Sequence, residues 1–210
     1  LDEPNAQEWR KHVGTSVDAA YVWVAEGLFR SEEEIDRSAW YGSRPNLGDI
    51  KYKDLNGDGR ITVSDKTYIG DPNPDFTFGF TNDFSYKNFT LSVFFQGSYG
   101  NDIYNASRIE TEGMYDGKNQ STAVLNRWKK IGDITDIPRA VKGTDNIKAS
   151  SRWVEDGSYL RLKTLTLAYN LPTQALQQYG IRKVQPYLTA QNLWTLTNYK
   201  GFDPEVNEGL

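Results

Sequence analysis

The sequence predicts an all-β fold whose strands belong to an outer-membrane-type antiparallel barrel, about four or five strands of it, with long loops at one end. Three observations carry this. Long segments alternate, with few interruptions, between aromatic or aliphatic and polar residues, which places one apolar face on each strand. Strand pairs meet at short connections on one side and at long, decorated insertions on the other, an asymmetry typical of outer-membrane barrels. Six Trp, thirteen Tyr and nine Phe stand in a chain that is only 38% hydrophobic, so aromatic rings are placed next to water.

In chain order, residues 1–20 are polar and poorly periodic. The apolar run Tyr21-Val22-Trp23-Val24-Ala25 reads as a strand end entering a loop. Ser31 followed by Glu32, Glu33 and Glu34 predicts one helical turn, with a serine cap and acids where the helix dipole favours them. Residues 41–75, rich in Gly, Pro, Asn and Asp, predict a long ordered loop or a small subdomain.

Period 2 then sets in. Phe76, Phe78, Phe80, Phe84 and Tyr86 alternate with Thr77, Gly79, Thr81, Asp83 and Ser85, and after Lys87-Asn88 the pattern resumes with Phe89, Leu91, Val93, Phe95 and Tyr99. Phe94 interrupts the polar face of this hairpin. Residues 100–158 form a second long insertion, with a helix expected over 121–130. Two more strands follow, over 159–171 and 183–195, joined by 172–182. The apolar phase slips near Lys163, which predicts a bulge or a strand end clear of the buried zone. The expected organisation is therefore 1–75 as strand end plus loop, 76–99 as one hairpin, 100–158 as a long extracellular loop, 159–195 as a second hairpin, and 196–210 as the start of another loop.

Composition excludes several functions. With 24 basic against 28 acidic residues and no longer basic run than Lys129-Lys130, the chain lacks the positive stripe a nucleic-acid binder needs. Without cysteine it has neither disulfides nor thiolate chemistry, and its one histidine, His12, cannot build a histidine metal cluster and reads as a solvated loop residue. No acid/base or nucleophile constellation stands out, so no enzyme activity is expected. The start at Leu1 and the end after Gly209-Leu210 read as those of a piece of a longer chain.

The sharpest local motif is Asp54-Leu55-Asn56-Gly57-Asp58-Gly59-Arg60-Ile61-Thr62-Val63-Ser64-Asp65. It follows the calcium-loop spacing of EF-hands. Asp54, Asn56 and Asp58 would turn alternate oxygens to one centre, Gly59 permits the sharp turn, Arg60 offers its carbonyl, and Asp65 closes the shell. Asp65 is shorter than the usual glutamate. The alternative is a metal-free loop whose Asp and Asn oxygens hold its own amides as Asx turns.

Several long runs resemble one family in the same order: residues 21–31 and 48–59, Ile69-Gly70-Asp71-Pro72-Asn73-Pro74, residues 91–104, residues 153–163, and Ala190-Gln191-Asn192-Leu193-Trp194. Over residues 15–207 the chain resembles the C-terminal barrel region of SusC/RagA-type TonB-dependent outer-membrane transporters of Bacteroidetes. That resemblance implies a cell outer membrane location and a large barrel with a plug and a TonB-contacting segment in an N-terminal part absent here. It also implies a SusD-like surface lipoprotein as partner, import of glycans or peptides, and lipid around the barrel. A barrel of about 22 strands needs roughly 200 residues in strands alone, so this chain is one section of the wall.

On this reading Phe76, Phe78, Phe80, Phe84, Phe89, Leu91, Val93, Phe95, Leu165, Leu167 and Tyr169 face lipid, and Asp83, Gln96 and Gln191 face the lumen. Trp40, Tyr41, Tyr104, Tyr115, Trp128 and Trp153 are candidates for contact with ligand or partner, against the alternative that they fill the cores of their own loops. A rival reading is a calcium-dependent extracellular adhesion or glycan-binding module. Dockerin-type modules need a second copy of the loop, and the sequence has none.

Overall fold

The computed structural model describes residues 15–205, apart from 17, 173, 175 and 176, so the expectation for His12 lies outside the described residues. The chain divides into two compact units. Residues 1–72, 102–155 and 200–210 form the first, and residues 73–101 and 156–199 the second.

The second unit is a four-stranded antiparallel sheet of β5 (Phe76–Tyr86), β6 (Phe89–Tyr99), β9 (Tyr159–Tyr169) and β10 (Tyr187–Thr197), in the order β10-β9-β6-β5. Each strand is 11 residues long, at the upper end of the ~9–11 that a tilted strand needs to cross a bilayer. Register puts the predicted apolar residues on one face. Phe80, Phe95, Leu162 and Trp194 form one row across the sheet, and Phe84, Leu91, Leu167 and Leu188 another. The opposite face carries Asp83, Ser92, Thr166 and Thr189 in one row and Gln96, Arg161 and Thr195 in another. Gln191, Thr164, Phe94 and Thr81 share a further row there, and the Phe94 ring lies over Gly79 on the neighbouring strand.

The phase slip at Lys163 is a bulge. Phe94 pairs with Thr164 and Phe95 with Leu162, leaving Lys163 unpaired against β6. The extra residue returns Leu160 and Leu162 to the face of Leu165 and Leu167. On β10 the matching irregularity falls between Gln191 and Trp194, where Asn192 has φ 51°.

The second hairpin differs from expectation at its connection. Strand β9 stops at Tyr169 and β10 starts at Tyr187, later than the expected 183. Leu171 and Tyr169 still donate to the carbonyls of Val184 and Pro186, but proline has no N–H to return to the ladder, so the regular strand begins after it. The chain passes between the units after Pro72, Asn101, Glu155 and Tyr199. The adjoining strand ends, Phe76, Tyr99, Tyr159 and Thr197, are brought by register to one end of the sheet.

In the first unit, β1 (Ala20–Trp23) pairs with β4 (Lys66–Ile69), β2 (Ala25–Leu28) with β3 (Ile50–Tyr52), and β7 (Asp102–Tyr104) with β8 (Val154–Asp156). The apolar run from Tyr21, read as a strand end, lies in β1 and the start of β2. It reads as continuously apolar because Ala20, Val22 and Trp23 are all buried in this unit. The predicted helical turn is α1 (Glu32–Arg37), and Ser31 accepts the N–H of Glu34 as its cap.

The helix expected over 121–130 is only a 3-10 turn, Thr122–Asn126. Val124 and Trp128 mimic an i, i+4 pair but belong to different cores: Val124 packs with Met114 and Ile137, Trp128 with Trp23, Leu28, Ile50, Tyr52 and Ile61. The actual helix of that insertion is α2 (Ala106–Glu112). Among the described residues no helix is long and apolar enough to cross a membrane.

Candidate functional site

The 54–65 loop is held by its own carboxylates. Asp54 accepts the N–H groups of Gly57 at 2.7 Å and Gly59 at 2.9 Å. Asn56 accepts from the Asp58 amide at 2.9 Å, and Asp58 from the Arg60 amide at 2.8 Å and the Asn56 side chain at 3.0 Å. Asp65 is fully buried and accepts four hydrogen bonds, from the amides of Leu55, Asn56 and Thr62 and from the Thr62 hydroxyl. Burial pushes its carboxyl up, but these amides and the hydroxyl outweigh that and hold it below the ordinary value.

Asp65 also completes a capping box with Thr62 at the 3-10 turn Val63–Asp65, after which β4 begins at once. A carboxylate offers about four lone-pair sites. Those of Asp65 are all taken, so it does not fit as the closing ligand, whereas Asp54 and Asp58 keep acceptor capacity. Among the described residues, no group of three or more His, Cys, Asp or Glu is gathered to hold a metal.

The six candidate aromatics separate. Trp40 and Tyr41 share a cleft of about 150 Å³ with Arg44, Asp49, Tyr52, Arg139, Asp145 and Asn146. Tyr41 packs edge-on against Trp23, ring centres 5.6 Å apart at 75°, and the Lys148 ammonium lies 3.8 Å from its ring centre. Asp49 braces the cleft by accepting from Arg139 at 2.7 Å, Asn146 at 3.0 Å and the Asn46 amide at 2.8 Å.

The other four lie elsewhere. Trp128 is buried over Gly48, where an added Cβ would come within 2.2 Å of the indole. Trp153 is 1% exposed, donates to the Lys148 carbonyl at 3.0 Å, and has the guanidinium groups of Arg108 and Arg152 within 5.6 Å and 5.2 Å of its ring. Tyr104 is partly buried, and burial pushes its hydroxyl up to about 12. Tyr115 donates to Glu110 at 2.6 Å.

A buried ion network was not foreseen from the sequence. Arg108 on α2 pairs with Glu112 at 2.7 Å and with Glu155, and Glu155 also accepts from Asn105 at 3.0 Å and the Lys200 amide at 3.1 Å. The i, i+4 spacing of Arg108 and Glu112 was its one visible sign. These residues tie α2 and β8 together, beside a cavity of about 360 Å³ lined also by Gly27, Asp136 and Arg152.

No family profile matches the chain. Among individual proteins, it is 39% identical over 195 residues to TonB-dependent receptor P3 and 40% identical over 199 residues to TonB-dependent receptor P26, both of Formosa agariphila, in each case over 92% of this chain. It is 28% identical to the TonB-dependent receptor SusC of Bacteroides thetaiotaomicron over 93% of its length. Among solved structures, the RagAB peptide importer in its open-open state matches 97% of the chain, with a TM-score of 0.73 and 26% identity. The chain spans 19% and 20% of the two Formosa relatives and 21% of the importer chain. The four-stranded amphipathic sheet and these matches together place the chain in the SusC/RagA-type family of TonB-dependent receptors, as a section of their β-barrel.

Proposed function

We infer that this chain forms part of the wall and two extracellular loops of an outer-membrane barrel that imports an oligosaccharide or a peptide together with a SusD-like surface lipoprotein, driven through TonB from elsewhere in the full-length protein. The observation that supports this most is the apolar face of the sheet. Aromatic rows bound it at both ends: Phe76 stacked on Tyr99 at 5.4 Å, and Tyr86, Phe89 and Tyr169 in register at the other. Ten residues at about 3.4 Å each separate Phe76 from Tyr86, and at a strand tilt of about 35–45° the rows lie ~24–28 Å apart along the barrel axis. Outer-membrane barrels carry an apolar band about 25 Å tall between aromatic girdles.

Within the loops, the Trp40–Tyr41 cleft is the better of the candidate ligand contacts. It combines an aromatic wall with polar groups fixed by Asp49, a combination that suits a sugar ring or a peptide side chain. For calcium, the donors left over are Asp54, Asp58, the Asn56 side-chain oxygen and the Arg60 carbonyl. An ion there would be completed by water and held weakly, in the roughly 10⁻⁴–10⁻³ M range of extracellular calcium modules.

The full-length protein, purified in detergent with its co-purifying partners identified, tests this reading. A plugged barrel carrying a surface lipoprotein is the expected result. A closed, soluble fold made by these residues alone would overturn it.

A further inference from the structure

The two short connections of the sheet carry positive charge and no negative charge. Lys87-Asn88 joins β5 to β6, and residues 170–186 join β9 to β10; together they hold Lys87, Arg182 and Lys183 and neither Asp nor Glu. From Gly157 to Phe202 the chain has no acidic residue at all. The acids of this unit lie elsewhere. Asp75 and Asp156 are at the opposite end of the sheet, just before Phe76 and Tyr159 in the chain, and Asp83 is on the polar face in the row of Ser92, Thr166 and Thr189. In a chain of net charge −4, the turn end of the sheet is therefore a local patch of one sign.

That patch meets the end row of the apolar face. The rings of Phe89 and Tyr169 have centres 4.7 Å apart, Tyr86 is in register with Phe89, and Tyr86 is 72% exposed. Lys87 makes its turn at φ 53° and carries its ammonium to 5.4 Å from the centre of the Tyr86 ring, which puts this charge beside the apolar face. The longer connection adds Tyr179 and Ile181, both exposed. A tyrosine at the edge of a lipid-facing band keeps its ring among acyl chains and its hydroxyl at headgroup level, where a neighbouring cation meets phosphate.

We propose that Lys87, Arg182 and Lys183 bind the phosphate groups of anionic phospholipids in the periplasmic leaflet, the side that the short turns of an outer-membrane barrel face. The proposal rests on the lipid-facing reading of the sheet given above. The occupant follows from charge complementarity at the end of that band: three cations with no acid on either connection, next to the row where acyl chains give way to headgroups. Attraction of this kind selects anionic over zwitterionic lipid and is screened by salt.

The test uses the full-length receptor in vesicles of phosphatidylcholine and phosphatidylglycerol, with a fluorophore on a single cysteine, Phe84→Cys or, separately, Phe80→Cys. One of the two lipids carries dibrominated acyl chains that quench the label, and barrel folding is followed by heat-modifiable gel migration. At equal mole fraction, brominated phosphatidylglycerol is expected to quench the Phe84→Cys label at least ~twofold more than brominated phosphatidylcholine. That preference should vanish in K87Q/R182Q/K183Q, and also at ~1 M salt, where the Debye length is about 3 Å. If the triple variant does not assemble, the salt series with the three basic residues intact decides alone. Equal quenching by the two lipids overturns the proposal, as does a preference that survives in the folded variant or at high salt. So does a label quenched at 80 but by neither lipid at 84, since protein would then cover the turn end. Labels quenched at neither position show instead that the sheet does not face lipid, and remove the reading on which the proposal rests.

Discussion

At Asp65, one buried carboxylate does the ordering that the loop's spacing assigns to a cation. Its four hydrogen bonds join Leu55 and Asn56 at the entry of the loop to Thr62 at its exit. Calcium titration of the full-length protein by calorimetry, compared with Asp54→Ala/Asp58→Ala, is expected to show one weak site that the double variant lacks; equal binding in both would reject this loop as a metal site. The motif was fully legible in the sequence because its spacing is fixed, but the commitment of the Asp65 oxygens was not, since local sequence does not say which amides reach a carboxylate. The loop tryptophans were illegible for a related reason. A Trp flanked by polar residues reads the same whether it meets a ligand or, like Trp128, fills the space over a glycine 80 residues earlier in the chain.

At the scale of elements, the long strands were the most readable part of the chain, because alternation over 11 residues has no competing explanation. The bulge at Lys163 was readable too, as a break of phase that the fold repairs. Elements of three or four residues in the first unit were not: β1 lacks alternation because three of its four residues are buried. The face assignment makes a depth-dependent prediction. Phe80→Arg, near the middle of the apolar band, should destabilise the assembled full-length barrel by about 2–4 kcal/mol, and Tyr86→Arg, in an end row, by about 0–1 kcal/mol. Thr81→Arg, one residue along on the polar face, should cost less than Phe80→Arg. Urea unfolding of the reconstituted protein measures all three, and equal costs at 80 and 81 would contradict the assignment.

At the scale of the whole molecule, the outer edges of β5 and β10 pair with no other strand among the described residues, and a bilayer-spanning sheet tolerates no open edge. The relatives, about five times as long, supply the length needed for closure. The division of labour between units follows from the chemistry of their surfaces. The sheet has exposed apolar side chains along one face, while the first unit gathers Trp23, Leu28, Ile50, Tyr52, Ile61 and Trp128 into one buried core. The central claim is that one face of this sheet meets lipid and the other meets water. Single cysteines placed from 89 to 96 in the full-length protein, labelled with an environment-sensitive dye in liposomes, test it directly. Labels at Phe89, Leu91, Val93 and Phe95 should be quenched by a lipid-borne quencher, and those at Thr90, Ser92, Phe94 and Gln96 by aqueous iodide. Quenching without alternation, or with the opposite phase, would contradict the account.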